Sequence, residues 1–216
     1  MGLKQSIKAT LLPPGEVSRV IPLGPARGIR AAIDFRFDTA FYFGFYESEL
    51  HPYVRKLVGR GTRVFDVGGH RGWEAMVFAK RSRTPVLTFE VNQENREYMQ
   101  RSFALNDYEI EIDPRYVGDK DDNDSVTIDT AADEYFTPEF IKMDIEGAEA
   151  NALRGAERTM AKHKPAWIVE VHGLEIENEC LEILRDFQYE TTIVDHRQRF
   201  LKEARGSIHN RWIVAN

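Results

Sequence analysis

A single cysteine, Cys180, stands in 216 residues, so the chain can build neither a disulfide framework nor a cysteine-rich metal cluster. Its neighbours Ile176, Leu181 and Leu184 fit one side of a helix, where a thiol is a buried inert group rather than a nucleophile. No apolar run approaches the roughly 20 residues that cross a bilayer. The stretch up to Gly15 also lacks the apolar segment of a secretion signal, and the expected location is cytoplasmic. Positive charge is not in excess. A net charge of −6 argues against gripping phosphate backbones, so neither nucleic acid nor a membrane is an expected partner. Internal repeats and low-complexity linkers are missing too. What remains is 42% hydrophobic and 30% charged, a balance suited to one sizeable folded core.

From residue 62 onward, β-rich apolar runs at 62–67, 85–91, 108–117, 140–145 and 166–172 alternate with helical stretches. The helices are expected to start near Gly72, Asn92 and Gly147. Asn92 serves as an N-cap, and Tyr98, Met99 and Phe103 form the buried face behind it. A helix over 175–186 leads to strands at 189–195 and 211–215, close enough to form a hairpin. This order predicts an α/β fold with a doubly wound, Rossmann-like sheet and an antiparallel C-terminal edge. Residues 1–60 are expected to form an N-terminal hairpin and flap packed on a main domain of residues 61–216. Gly24-Pro25 and Gly28 break the run 17–33 into a hairpin. A ring-rich segment follows: Phe35, Phe37, Phe41, Tyr42, Phe43, Phe45 and Tyr46. Most of these rings are expected to pack, while residues 46–49 are weighed as a lid through which Glu47 reaches a ligand.

The segment Val64-Phe-Asp-Val-Gly-Gly-His-Arg-Gly72 ends a strand on an acid and turns on glycines 68, 69 and 72. Its spacing is not the Gly-x-Gly-x-x-Gly of dinucleotide sites. A pyrophosphate wants backbone N–H groups and no nearby carboxylate, whereas Asp66 suits a ligand carrying a sulfonium and an α-amino group. Glu90, with Val91 and Asn92, ends the next strand, where an acid can accept the ribose hydroxyls of an adenosine. Asp119 in Val117-Gly-Asp follows the third strand and can accept a proton from an adenine amino group.

In Phe140-Ile-Lys-Met-Asp-Ile-Glu-Gly-Ala-Glu149, strand alternation places Lys142, Asp144 and Glu146 on one side. A lysine inside a sheet needs a partner, and Glu170 in Trp167-Ile-Val-Glu-Val-His172 is the expected one. Asp144 and His172 lie further toward the strand ends, where chemistry occurs, and form the candidate catalytic pair. The same corner offers a second reading, in which Asp144, Glu146 and His172 hold a divalent metal.

These motifs together resemble the FkbM-type family of S-adenosylmethionine-dependent methyltransferases, over roughly residues 43–212. The resemblance implies a class I methyltransferase fold and methyl transfer, usually to an oxygen of a saccharide or other small-molecule acceptor. It implies that Asp66, Gly68 and Gly72 hold the methionine part of the cofactor, with Gly69, His70 and Asp144 beside them, Glu90 at the ribose and Asp119 at the adenine. Gly69-His70-Arg71 stands where members more often carry an Ala-Asn type filling, so His70 and Arg71 are expected to face the acceptor. A nicotinamide-dependent oxidoreductase and a binding protein that holds S-adenosylmethionine without turnover are the alternatives.

Overall fold

The structure, a computed structural model, describes residues 15–196 and 210–216. An N-terminal hairpin, β1 (Val17–Val20) with β2 (Arg30–Ile33), is followed by α1 (Thr39–Tyr42) and α2 (His51–Leu57). The main sheet then begins with β3 (Val64–Val67), α3 (Trp73–Ser82), β4 (Val86–Phe89), α4 (Gln93–Phe103) and β5 (Ile110–Asp113). A small parallel pair, β6 (Tyr116–Val117) and β7 (Ser125–Val126), precedes α5 (Ile128–Glu134). The second half runs β8 (Phe140–Met143), α6 (Glu149–Arg154), α7 (Glu157–His163), β9 (Ala166–His172), α8 (Leu174–Asp186), β10 (Thr191–Asp195) and β11 (Asn210–Ala215).

The main sheet has seven strands in the order β10-β11-β9-β8-β3-β4-β5. The pairs from β9 to β5 are parallel, and β11 enters antiparallel between β9 and β10, as the apolar runs and the terminal hairpin predict. The switch in strand order falls between β3 and β8. A ligand crevice opens there in such sheets, outside the carboxyl ends. Asn92 caps α4 as expected, its side chain accepting from the Asn95 N–H at 3.1 Å. Burial pushes the Cys180 thiol up to about 12, so it is inert at neutral pH.

Two expectations need correction. The run 108–117 is two strands in two sheets, not one. Pro114 has no N–H for the ladder, and the Asp113 carboxylate takes the Arg115 N–H at 2.9 Å, closing a turn. Strand β8 stops at Met143, and the chain turns left-handed at Glu146 with φ 53°. Glu146 therefore does not continue the strand face of Lys142 and Asp144.

Pleating sorts the strand residues into two layers. Phe65, Leu87, Ile141, Trp167 and their odd-numbered neighbours pack with Ile128, Leu153, Met160 and Leu184 of helices α5 to α8. Val64, Val86, Phe140, Ile168 and Trp212 face the other way, toward Met76 and Phe78 of α3 and Met99 of α4. The N-terminal segment completes that second layer with Ile21, Ile29, Ile33, Phe41, Leu50 and Val54, each side chain worth about 1.5–3 kcal/mol when fully buried. Polar ties add to it. The Ala32 N–H donates to Ser102 Oγ at 3.2 Å, and the Tyr98 hydroxyl donates to Ala32 O. Of the ring-rich segment, Phe41 is buried while Phe37, Phe43 and Phe45 stay exposed. Among the described residues no helix is long and apolar enough to cross a membrane.

Candidate functional site

At the switch point the strand ends open onto a cavity of about 600 Å³. Its walls bring together Gly68, Gly69, His70, Glu90, Val91, Asn92 and Asp144, which the motifs single out, with Arg71 and Glu146. The glycine turn is tight because nothing larger fits. A Cβ on Gly68 would overlap the Asp144 carbonyl oxygen, and one on Gly69 would overlap Thr88 Oγ1. Both N–H groups donate to the Phe89 carbonyl, at 3.0 and 2.9 Å, which locks the loop to β4. Glu90 is fixed by the Asn92 N–H, which donates to its Oε1 at 2.7 Å.

Four of the cofactor candidates lie off the cavity wall, as does His172. Asp66 is fully buried beneath the glycine loop, accepting from Thr88 Oγ1 at 3.2 Å. Gly72 caps α3 with φ 73°, pressed against Phe103 and Met99. Glu47 sits behind Glu74, in a small apolar pocket sharing Tyr46, Trp73 and Glu74 with the main cavity. Asp119 is exposed, and the cavity wall includes Arg115, Tyr116 and Val117 without reaching it.

The electrostatic centre is Lys142, which is almost fully buried. Its Nζ lies 2.8 Å from Glu74 Oε2 and 3.5 Å from Asp144 Oδ2, with the Trp212 ring centre 5.5 Å away. The expected ion pair with Glu170 is absent, because the first turn of α3 delivers Glu74 to the ammonium group. Burial opposes the lysine's charge, but four carboxylates, Glu74, Glu47, Asp144 and Asp66, outweigh it and hold its pKa high. The acids themselves are in excess. Burial, then Glu74, keeps Glu47 well above the usual carboxylate range, and burial raises Asp66 to about 7 against the pull of Lys142. Burial is the largest effect on Asp144 and would raise it, yet Lys142, Glu170 and His172 together outweigh it and hold the group low.

Backbone strain marks the same place. Among left-handed non-glycine residues, Arg83 and Lys164 end helices and Gln188 follows one, whereas His70 and Glu146 line the cavity and Glu47 lines the small pocket beside it. Trp73 anchors the flap here, stacking on Phe41 at 4.8 Å and meeting Tyr46 edge-on at 5.1 Å. Arg71 pairs with buried Asp38 at 2.7 Å and lies 4.7 Å from the Tyr98 ring centre.

Beside Asp144, the ends of β8 and β9 form a second polar corner. His172 Nε2 lies 3.7 Å from both Asp144 Oδ1 and Glu170 Oε1. Its Nδ1 is 2.8 Å from Glu149 Oε1, and Glu149 is fully buried. That hydrogen bond is the largest cause raising the His172 pKa. His196 approaches from β10, its Nε2 3.0 Å from Glu170 Oε1 and its Nδ1 3.4 Å from Glu49 Oε1. Burial works against charge on His196, but its bonds to Glu170 and Glu49 win and push it up to about 9. Asp144 and His172 thus meet as expected. The convergent third donor is Glu170, not Glu146, which is exposed on the left-handed turn. Glu74, Glu149 and His196 escaped the sequence reading, since only the packing of α3, α6 and β10 brings them here.

With this geometry in hand, known proteins offer a comparison. The FkbM methyltransferase domain matches residues 121–206, a span that includes the Phe140 to Glu149 motif and stops short of the glycine loop. None of the curated proteins matches in sequence. Among solved structures, a methyltransferase FkbM from Methylobacillus flagellatus superimposes with a TM-score of 0.56 at 20% identity, covering 71% of this chain and 43% of that one. The chain thus spans less than half the length of that relative. A precorrin-6y C5,15-methyltransferase from Geobacter metallireducens gives 0.55 at 12%, covering 75% and 83%. An rRNA methylase from Streptococcus thermophilus gives 0.56 at 11%, covering 77% and 95%. The chain resembles FkbM methyltransferases in its C-terminal sequence and has the Rossmann-like class I methyltransferase fold. The fold does not choose the acceptor, since these neighbours are named for a precorrin and for rRNA.

Proposed function

We propose that this chain is an S-adenosylmethionine-dependent methyltransferase that acts on a hydroxyl of a small-molecule or saccharide acceptor. The observation that carries the reading is the surplus of buried carboxylate around Lys142, next to a glycine turn that leaves backbone room for a ligand. A cationic ligand relieves that surplus, whereas a pyrophosphate would be repelled by it. This argues against a nicotinamide cofactor, as the glycine spacing does. Gly68, Gly69 and His70 would hold the methionine part together with Asp144, while Glu74 supplies negative charge that Glu47 and buried Asp66 would join as a cationic ligand favours their ionised forms. Glu90 would accept the ribose hydroxyls, and Val91, Asn92, Tyr116 and Val117 would flank the base. When bound, S-adenosylmethionine supplies an electrophilic methyl group whose bonding pair leaves on sulfur.

The protein's own task is to place the acceptor oxygen in line with that methyl and to ease loss of its proton. The Asp144, Glu170 and His172 corner suits this, because Asp144 belongs both to it and to the cavity wall. Glu149 fixes the ring so that Nε2 faces the two carboxylates. Mass spectrometry of the natively purified protein tests the cofactor assignment. Bound S-adenosylmethionine or its demethylated product is the expected mass; a nicotinamide in the site would overturn the reading.

A further inference from the structure

We propose that Asp144, Glu170 and His172 form a binding site for a divalent cation. The proposal rests on the reading above only for where the acceptor lies. One donor atom from each residue falls within 4.8 Å of the others. His172 Nε2 stands 3.7 Å from each carboxylate oxygen, too far for a hydrogen bond to either, so the ring nitrogen and the acids converge on a shared space. A second feature is the approach of two carboxylates with little water to separate them, Glu170 being only 6% exposed and Asp144 facing it. Lys142 already faces Asp144 at 3.5 Å and His196 faces Glu170 at 3.0 Å, so a cation would join a corner whose acids are partly compensated. Two carboxylates and one imidazole are a donor set that a cation such as Mn2+ accepts, and modest side-chain rotation would close it to ligand distances.

The surroundings are those of a metal ligand set. A histidine bound to metal through one nitrogen normally donates the other N–H to a carboxylate, and His172 Nδ1 has Glu149 at 2.8 Å. His196 holds Glu170 from the other side, with Nε2 at 3.0 Å. Because Asp144 also lines the cavity, the cation would sit at its wall. There it would polarise the O–H of an acceptor and let the proton leave to water, leaving the oxygen pair free to form the new bond to carbon. Glu146, although part of the cavity wall, lies outside this donor set.

The test is a titration of EDTA-stripped full chain with Mn2+ alone, following the resonance signal of the free ion, with circular dichroism confirming that each variant is folded. One saturable site is expected. Its affinity should fall more than tenfold in Glu170→Gln and in His172→Ala, about 10–100-fold in Glu149→Gln, and stay unchanged in Glu146→Gln. No saturable site, or one unaltered in both Glu170→Gln and His172→Ala, overturns the proposal. Full turnover in EDTA overturns it too, and assigns His172 as a free base. S-adenosylmethionine binding to the stripped chain is measured separately: its loss sinks the cofactor reading, while the Mn2+ result stands by itself.

Discussion

The two faces of one sheet follow different rules. The face toward α5 to α8 is apolar across the four central strands β9, β8, β3 and β4, from Phe65 and Leu87 to Met143 and Val171. The opposite face begins apolar with Val64, Val86, Phe140 and Ile168, then turns polar toward the carboxyl ends with Asp66, Thr88, Lys142 and Glu170. Nothing in the packing of a core asks for that second pattern. Buried ionisable groups cost stability unless fully paired, and here four carboxylates share one lysine. One face is therefore packed for folding, while the far half of the other gathers charge at the strand ends.

The largest separation of the two faces should appear in turnover. His172→Ala is expected to cut methyl transfer by about 10²–10⁴ while leaving S-adenosylmethionine affinity nearly intact. Steady-state kinetics beside a binding isotherm checks this, and normal turnover would erase the polar corner's role. Next comes the apolar face. Leu87→Ala removes a fully buried side chain there and should cost about 2–5 kcal/mol in denaturant unfolding, with cofactor affinity unchanged.

A smaller effect concerns pH. Asp66, with a folded pKa of about 7 against an ordinary 3.8, is protonated when folded and ionised when unfolded across the interval between. Its contribution to stability therefore falls as pH rises through that window, opposite to a salt-bridged carboxylate. His196, raised to about 9, adds stability that is fully present below 6.5 and lost as pH climbs through its folded value. Both trends have one sign, so thermal stability should decline from mildly acidic to alkaline pH. Asp66→Asn should raise the melting temperature at pH 8 and flatten the acidic part of that decline. A melting temperature that climbs with pH in the parent chain would contradict this.

The sheet was legible in the sequence because apolar strand runs and helix caps are local signals. The β9 run at 166–172 and the Asn92 cap are found where expected. So was much of the wall of the main cavity, since the glycine turn and Glu90 sit at strand ends. What stayed hidden arrives from elsewhere in the chain. Glu74 reaches Lys142 from a helix first turn, Glu149 reaches His172 from another, and His196 comes across two strands. Pairing of that kind depends on how helices lie on the sheet, which no spacing encodes. Glu146 misled for the converse reason: alternation holds only while the strand lasts, and β8 ends at Met143.

The central claim is that the polar half-face exists to bind a cationic nucleoside. Isothermal titration of the chain with S-adenosylmethionine and, separately, with NAD tests it most directly. Saturable heat is expected with S-adenosylmethionine and none with NAD, and Glu90→Ala should weaken the former by about 1–3 kcal/mol through lost hydroxyl hydrogen bonds. No heat with S-adenosylmethionine, or tight binding of NAD, would contradict it.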